Sequence, residues 1–129
     1  GDLSQIATMM AMADGCIEMY SGNDDQVLPI LSLGGLGVIS VLSNVAPKET
    51  HDMVMKFFEG DTKGAAEIQL KAIPLIHALF SEVNPIPVKT ALNLMGREAG
   101  PLRMPLSEME EANKEKLAAE LKNFGIKLA

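Results

Sequence analysis

Apolar positions over 2–13 recur with a period of about 3.6 residues, which predicts an amphipathic helix at the start of the chain. Asp2 is a suitable N-cap for this helix, and Gly15 suits its C-terminal end. The apolar positions that define the pattern are Leu3, Ile6, Ala7, Met10 and Ala13.

Two short segments have the composition of strands. Residues 16–20 stop at the turn-forming run 21–24, and residues 38–42 are β-branched and almost wholly apolar, as in a strand buried on both faces. Helices are predicted over 24–33 and 47–60, on either side of the second strand. Because the connections are short and pass through a helix, the two strands are predicted to be parallel neighbours.

Beyond residue 60 the pattern is helical only. Residues 61–82 have helical periodicity, and Pro74 is predicted to interrupt it. Asn84 is predicted to cap the next helix, while Ser107 and Glu110 have the spacing of a capping box at the start of the last one.

The predicted sheet is incomplete. Two parallel strands leave unpaired edges on both sides, although 38–42 has the composition of a strand with two neighbours. We therefore expect an α/β fold in which 1–60 form two βα units and 61–129 form an all-helical segment. Another chain, or sequence outside these residues, is expected to complete the sheet.

Composition narrows the class of protein. The net charge of −6 argues against a basic nucleic-acid footprint or a polybasic membrane patch. No apolar run reaches the roughly 18 residues of a membrane span, and no segment resembles a signal peptide. The single cysteine, Cys16, permits no internal disulfide, which is typical of the reducing cytoplasm.

The turn at 21–25 is the first candidate site, because ligands of parallel α/β folds bind at the carboxyl ends of strands. The same position also suits an ordinary turn with a capping residue, and both interpretations remain open. Ser43 and Asn44 stand in the equivalent place after the second strand. No metal site is predicted, because Asp24 and Asp25 fit the positive end of a helix dipole better than a metal.

Several stretches, taken in order, resemble the C-terminal part of the dihydrodipicolinate synthase family. Single motifs are weak, but their order and spacing over the whole chain are specific. The stretches are Tyr20–Asp25 (YSGNDD), Gly34–Val41 (GGLGVISV), Ser43–Val45 (SNV), Asn84–Lys89 (NPIPVK) and Leu102–Leu106 (LRMPL).

The resemblance implies a TIM (β/α)8 barrel followed by a helical segment. It implies that 16–20 and 38–42 are the last two barrel strands and that 61–129 are the C-terminal helices. It further implies an enzyme that condenses pyruvate with aspartate semialdehyde through an imine, on the route to diaminopimelate and lysine. No cofactor is implied. A related pyruvate-dependent sugar-acid aldolase remains an alternative, as does a non-catalytic fragment that associates with itself.

Individual residues acquire roles only through this resemblance. Ile39 matches a pyruvate-contact position, and the backbone of Gly22 is expected to face the same pocket. Asn23 and Asp24 are weaker candidates for substrate binding, by neighbourhood only. No lysine lies on either predicted strand, so the imine lysine is expected upstream of Gly1 and the chain by itself is expected to be inactive.

The resemblance also implies a homo-oligomer, either a tetramer or a dimer. Leu3, Ser4 and Leu33 match positions at a subunit contact and are the expected interface residues.

Overall fold

The computed structural model describes residues 1–129 as α-helices and a two-stranded parallel sheet. The predicted α/β class is therefore confirmed, in a chain that is mostly helical. A 3-10 turn follows each strand, at Asp24–Gln26 and Leu42–Asn44. The other elements in chain order are α1 (Leu3–Ala13), β1 (Tyr20–Ser21), α2 (Val27–Ser32), β2 (Gly37–Val38), α3 (Pro47–Phe58), α4 (Thr62–Leu79), α5 (Ile86–Leu94) and α6 (Glu111–Phe124).

The strands β1 and β2 pair in parallel, as predicted, with Tyr20 opposite Gly37 and Ser21 opposite Val38. Both are shorter than the predicted segments 16–20 and 38–42. The backbone of Val41 is already helical, with φ −82° and ψ −41°, so the chain turns soon after β2 ends. Within 38–42 only Leu42 is fully buried and Ile39 is 73% exposed, so the prediction of a strand buried on both faces is wrong.

The start of α1 follows the prediction. One carboxylate oxygen of Asp2 accepts hydrogen bonds from the backbone N–H groups of Ser4 (2.9 Å) and Gln5 (3.3 Å), as an N-cap does. At the other end Asp14 takes a left-handed backbone conformation with φ 46°, and Gly15 follows with φ 77°.

The predicted caps of the last two helices are wrong. α5 begins after Pro85 with no side-chain cap, so Asn84 does not cap it. α6 begins after Glu110, which replaces the predicted Ser107 as the residue before the helix and makes no side-chain cap bond. A carboxylate oxygen of Glu82, distant in sequence, accepts the hydrogen bond from the Glu110 N–H at 3.0 Å instead.

Glu82 also accepts a hydrogen bond from the side-chain amide of Asn113 at 2.9 Å. One carboxylate between α4 and α5 therefore binds the first turn of α6 at two places. Because the N-terminus of a helix attracts negative charge, this is a favourable position for a carboxylate.

The chain divides into two compact units. The first comprises Gly1–Ser40 and Lys48–Leu70, and the second comprises Val41–Pro47 and Lys71–Ala129. α4 contributes to both and continues through Pro74 as one helix, where an interruption is predicted. The first unit has a core of Val27, Leu31 and Met53. The largest fully buried leucines of the second unit are Leu42, Leu75, Leu79, Leu117 and Leu121.

Candidate active site

The carboxyl ends of β1 and β2 lie side by side. The Ile39 N–H donates a hydrogen bond to the Ser21 carbonyl at 2.8 Å, one step past the paired residues of β2. The parallel register therefore brings Gly22 alongside Ile39. These are the two residues that the sequence predicts as substrate contacts, and the structure places them next to each other.

The two faces of this strand pair differ in burial. Val38 packs against the core of the first unit, which contains Val27 and Leu31. Successive strand residues point to opposite faces, so the side chain of Ile39 lies on the face away from that core. It is 73% exposed, which is unusual for an isoleucine at the end of an apolar strand.

Tyr20 lies on the same face of the strand pair as Ile39, opposite the core of the first unit, and we call this surface the open face. Its strand partner is Gly37, and a Cβ atom at that glycine would stand 3.4 Å from two carbon atoms of the tyrosine ring. The ring therefore lies beside the glycine backbone, and 45% of the residue is exposed. Tyr20 is a residue of the open face that sequence reasoning did not select.

A serine hydroxyl shapes the turn that follows β1. Ser21 is fully buried, and its hydroxyl donates a hydrogen bond to the Asn23 carbonyl at 2.7 Å. The same hydroxyl oxygen accepts a hydrogen bond from the Asn23 N–H at 3.2 Å. Gly22 lies between the two hydrogen-bonded residues of this turn. Gly22 and Asn23 are both exposed to solvent.

Asp24 connects the turn after β1 to the end of β2. Only 1% of Asp24 is exposed, and its carboxylate accepts a hydrogen bond from the Ser40 hydroxyl. The Asp24 carbonyl accepts a second bond, at 2.8 Å, from the side-chain amide of Gln69 in α4. The other end of that amide accepts a bond from the Leu28 N–H at 3.3 Å.

Sequence reasoning missed Ser40 and Gln69. The predicted second strand extends to residue 42, which directs attention to Ser43 and Asn44 rather than to Ser40. The early end of β2 places Ser40 in the loop instead. Gln69 has no sequence signal, because a glutamine on a helix is ordinary unless its burial, 5% exposed here, is known.

The predicted interface residues lie on α1 and at the end of α2, two helices that contact each other. Leu3 is 39% exposed and Leu33 is 36% exposed, and Ser4 is also exposed. The three side chains are therefore accessible on the surface of the first unit.

Lys89 lies on α5 and binds a backbone carbonyl. Its amine donates a hydrogen bond to the Pro101 carbonyl at 2.7 Å, within the second unit. No lysine lies on β1 or β2.

No group of three or more His, Cys, Asp or Glu side chains is arranged to hold a metal ion. None of the helices combines the length and apolar character that crossing a membrane requires.

Two pairs of oppositely charged side chains lie on α3 and in the turn that follows it. Lys48 binds Asp52 within α3 and lowers the pKa of that carboxyl. The Lys56 amine lies 2.6 Å from a carboxylate oxygen of Asp61, and this bond, aided by the Gly64 N–H, lowers the pKa of Asp61.

Comparisons with known proteins identify relatives over nearly the whole chain. Residues 1–124 match the profile of the dihydrodipicolinate synthetase family. The chain is 58% identical over 125 residues to the 4-hydroxy-tetrahydrodipicolinate synthase of Lachnoclostridium phytofermentans, covering 97% of this chain and 42% of the relative. The chain thus spans less than half the length of the curated relatives that it matches.

Solved structures agree with this relationship. The dihydrodipicolinate synthase of Thermotoga maritima matches with a TM-score of 0.92 and 43% identity, over 97% of this chain and 43% of that one. The enzyme of Acinetobacter baumannii, solved in complex with pyruvate, matches with a TM-score of 0.91 and 34% identity, over 97% and 43%. The sequence, the fold and these similarities lead to one conclusion: the chain belongs to the dihydrodipicolinate synthetase family.

Proposed function

We propose that this chain supplies the last two strands and the C-terminal helices of an enzyme that condenses pyruvate with aspartate semialdehyde. In this proposal 1–60 are the final βα units of a TIM barrel, and 61–129 are its helical segment. The observation that carries the proposal is the open face at the carboxyl ends of β1 and β2, where Gly22 and Ile39 lie next to each other.

The exposure of that face supports a barrel position. In a TIM barrel the strand residues that point away from the helices fill the barrel interior, and active sites lie at the carboxyl ends of the strands. Ile39 and Tyr20 have the orientation of interior residues, but 73% and 45% of them are exposed. Strands on both sides of the pair would cover them, and the family relatives are long enough to contain such strands.

The chemistry requires a lysine that this strand pair does not contain. An imine-forming lysine must be desolvated within the pocket to act as a nucleophile at neutral pH. The lysines of this chain lie on helices, in loops or at the chain end, so we assign the nucleophile to sequence outside these 129 residues. The chain by itself is then inactive, and its part in the reaction is to form one wall of the pyruvate pocket.

Aspartate semialdehyde is favoured over a sugar acid as the second substrate. The relatives reported above are all synthases of the dihydrodipicolinate type, and the most similar of these is 58% identical. Their name supports a place in the biosynthesis of diaminopimelate and lysine, and we assign the complete enzyme to the cytoplasm.

We also propose that Leu3, Ser4 and Leu33 contribute to a contact between subunits of the complete enzyme. Exposed leucines on two touching helices support this assignment. The same surface offers a route to self-association of the isolated chain.

A chimera tests the proposed function. The upstream part of the Lachnoclostridium phytofermentans synthase is joined to Gly1, and the product is treated with pyruvate and borohydride, which reduces an imine to a stable adduct. We expect intact-mass analysis to show a pyruvate adduct on the chimera and none on the 129-residue chain. A chimera whose imine lysine is replaced by arginine is the control and stays unlabelled.

The outcomes separate the parts of the proposal. A folded chimera that takes up no pyruvate contradicts the pocket assignment, whereas labelling of the isolated chain contradicts its assigned inactivity. A labelled chimera is then given aspartate semialdehyde or sugar-acid aldehydes. Faster turnover with a sugar-acid aldehyde would favour the aldolase alternative.

A further inference from the structure

Asp24 makes a hydrogen bond that its position in the chain does not require. A carboxylate at the start of a helical turn ordinarily binds N–H groups of that turn. The Asp24 carboxylate also reaches across the loop, because it accepts a hydrogen bond from the hydroxyl of Ser40, 16 positions away. It does so while only 1% exposed, and a buried carboxylate is costly unless such bonds compensate its lost hydration.

The bond between Ser40 and Asp24 connects the loop after β2 to the turn after β1, next to the candidate contact residues. Ser40 directly follows Ile39, and Asp24 lies two residues after Gly22, so the bond lies just beyond the two candidate contact residues. The Ile39 peptide is thereby held on both sides, by its N–H bond to the Ser21 carbonyl and by the adjacent Ser40 side chain. Packing contributes little here, because the Ile39 side chain is 73% exposed.

Gln69 fixes the other side of Asp24. Its side-chain amide donates a hydrogen bond to the Asp24 carbonyl at 2.8 Å and accepts one from the Leu28 N–H at 3.3 Å. Gln69 is 5% exposed and lies on α4, so the position of the Asp24 backbone is set by a helix rather than by the loop itself.

We propose that Asp24 is a positioning residue, which acts through Ser40 to hold the Ile39 and Gly22 backbone in the geometry that binds pyruvate. The inference rests on the proposed function, because it presumes that pyruvate contacts those two residues. Asp24 itself does not touch the substrate. Loss of the bond loosens the pocket wall, so it lowers affinity for pyruvate more than it slows the chemical step.

The chimera described above provides the kinetic test. We expect Ser40→Ala to raise the KM for pyruvate about tenfold, the effect of losing one hydrogen bond to a charged group, with kcat changed less than about threefold. Asp24→Ala should raise the KM at least as much. The double variant should be no worse than Asp24→Ala alone, because both substitutions remove the same bond. Asp24→Asn keeps an oxygen that can accept from Ser40 and should recover most of the affinity. Glu59→Ala, which removes an exposed carboxylate just after α3, is the control and should leave the KM unchanged.

Amide hydrogen exchange in the 129-residue chain tests the hydrogen bond between Asp24 and Ser40 without a measurement of enzyme activity. Asp24→Ala and Ser40→Ala should speed exchange of the Ile39 N–H about tenfold, while Glu59→Ala leaves it unchanged. If Asp24→Ala does not fold, Asp24→Asn and Ser40→Ala carry both tests.

Each result has a definite meaning. A wild-type chimera that traps no pyruvate refutes the proposed function. The exchange measurement then still decides whether the bond between Asp24 and Ser40 restrains the Ile39 peptide. A working chimera whose Asp24→Ala and Ser40→Ala variants keep the wild-type KM refutes the positioning role. Additive losses in the double variant would show that the two residues act separately, and would refute it as well.

Discussion

The assignment of faces on β2 can be tested with two neighbouring residues. Val38 points into the core of the first unit, whereas Ile39 points away from it. Replacing each by asparagine introduces the same polar, poorly strand-forming side chain at adjacent positions. The two variants therefore differ mainly in which face receives the amide.

The expected losses follow from burial. Val38 is partly buried, so Val38→Asn loses about 1 to 2 kcal/mol of burial energy, and placing an amide on the core side of the strand adds about 1 to 3 kcal/mol. We expect a total of about 2 to 5 kcal/mol. Ile39 is 73% exposed and retains only about a quarter of its burial energy, so Ile39→Asn should cost about 0.5 kcal/mol.

The assay is urea denaturation of the 129-residue chain followed by circular dichroism, with the free energy of unfolding extrapolated to zero urea. Equal losses in the two variants, or a larger loss for Ile39→Asn, would refute the orientation of β2. In the chimera, Ile39→Asn should weaken pyruvate binding more than Val38→Asn does. It should do so although the stability of the Ile39→Asn protein is nearly normal.

Three further predictions concern stability. On α4, Leu75→Ala should cost about 2 to 5 kcal/mol of unfolding free energy, because Leu75 is only 1% exposed. The matched Leu70→Ala should cost less than about 1 kcal/mol, because Leu70 is 70% exposed. Similar losses for the two variants in urea denaturation would contradict this prediction. Glu82→Ala should cost about 1 to 3 kcal/mol in the same assay and free the first turn of α6, visible as faster amide exchange there; unchanged exchange would show that the two bonds to Glu82 contribute nothing. Asp61 has a lowered pKa, so its charge stabilises the fold above its unfolded pKa of 3.8, and that contribution is lost as the pH falls through the folded value. Asp61→Asn, which can still accept the Gly64 N–H, should therefore differ from wild type at neutral pH and converge with it in acid; a difference that is constant across the pH range would refute this cause.

The sequence predicts the order of elements well because periodicity and caps are local signals. The Asp2 cap on α1 and the parallel pair β1 and β2 are both confirmed. The predicted capping box at Ser107 is wrong for a reason that no local pattern can show. The N–H of Glu110 binds the carboxylate of Glu82, a residue 28 positions away.

The candidate site shows the same division. Gly22 and Ile39 can be selected because a resemblance supplies their roles, and the parallel register brings them together. The bond between Ser40 and Asp24 could not be predicted, because the turn after β2 begins earlier than its apolar composition suggests. Gln69 could not be selected either, since its importance comes from burial against a loop 45 positions earlier.

The contact of Gln69 with the turn after β1 determines where family members can be recombined. A crossover at Gly60, where the composition changes, would pair one parent's Asp24 and Leu28 with another parent's residue at the position of Gln69. A crossover placed after Leu70 would inherit these three residues from one parent. Libraries built with the later junction should therefore contain a larger share of folded, pyruvate-reactive hybrids than libraries cut at the apparent boundary.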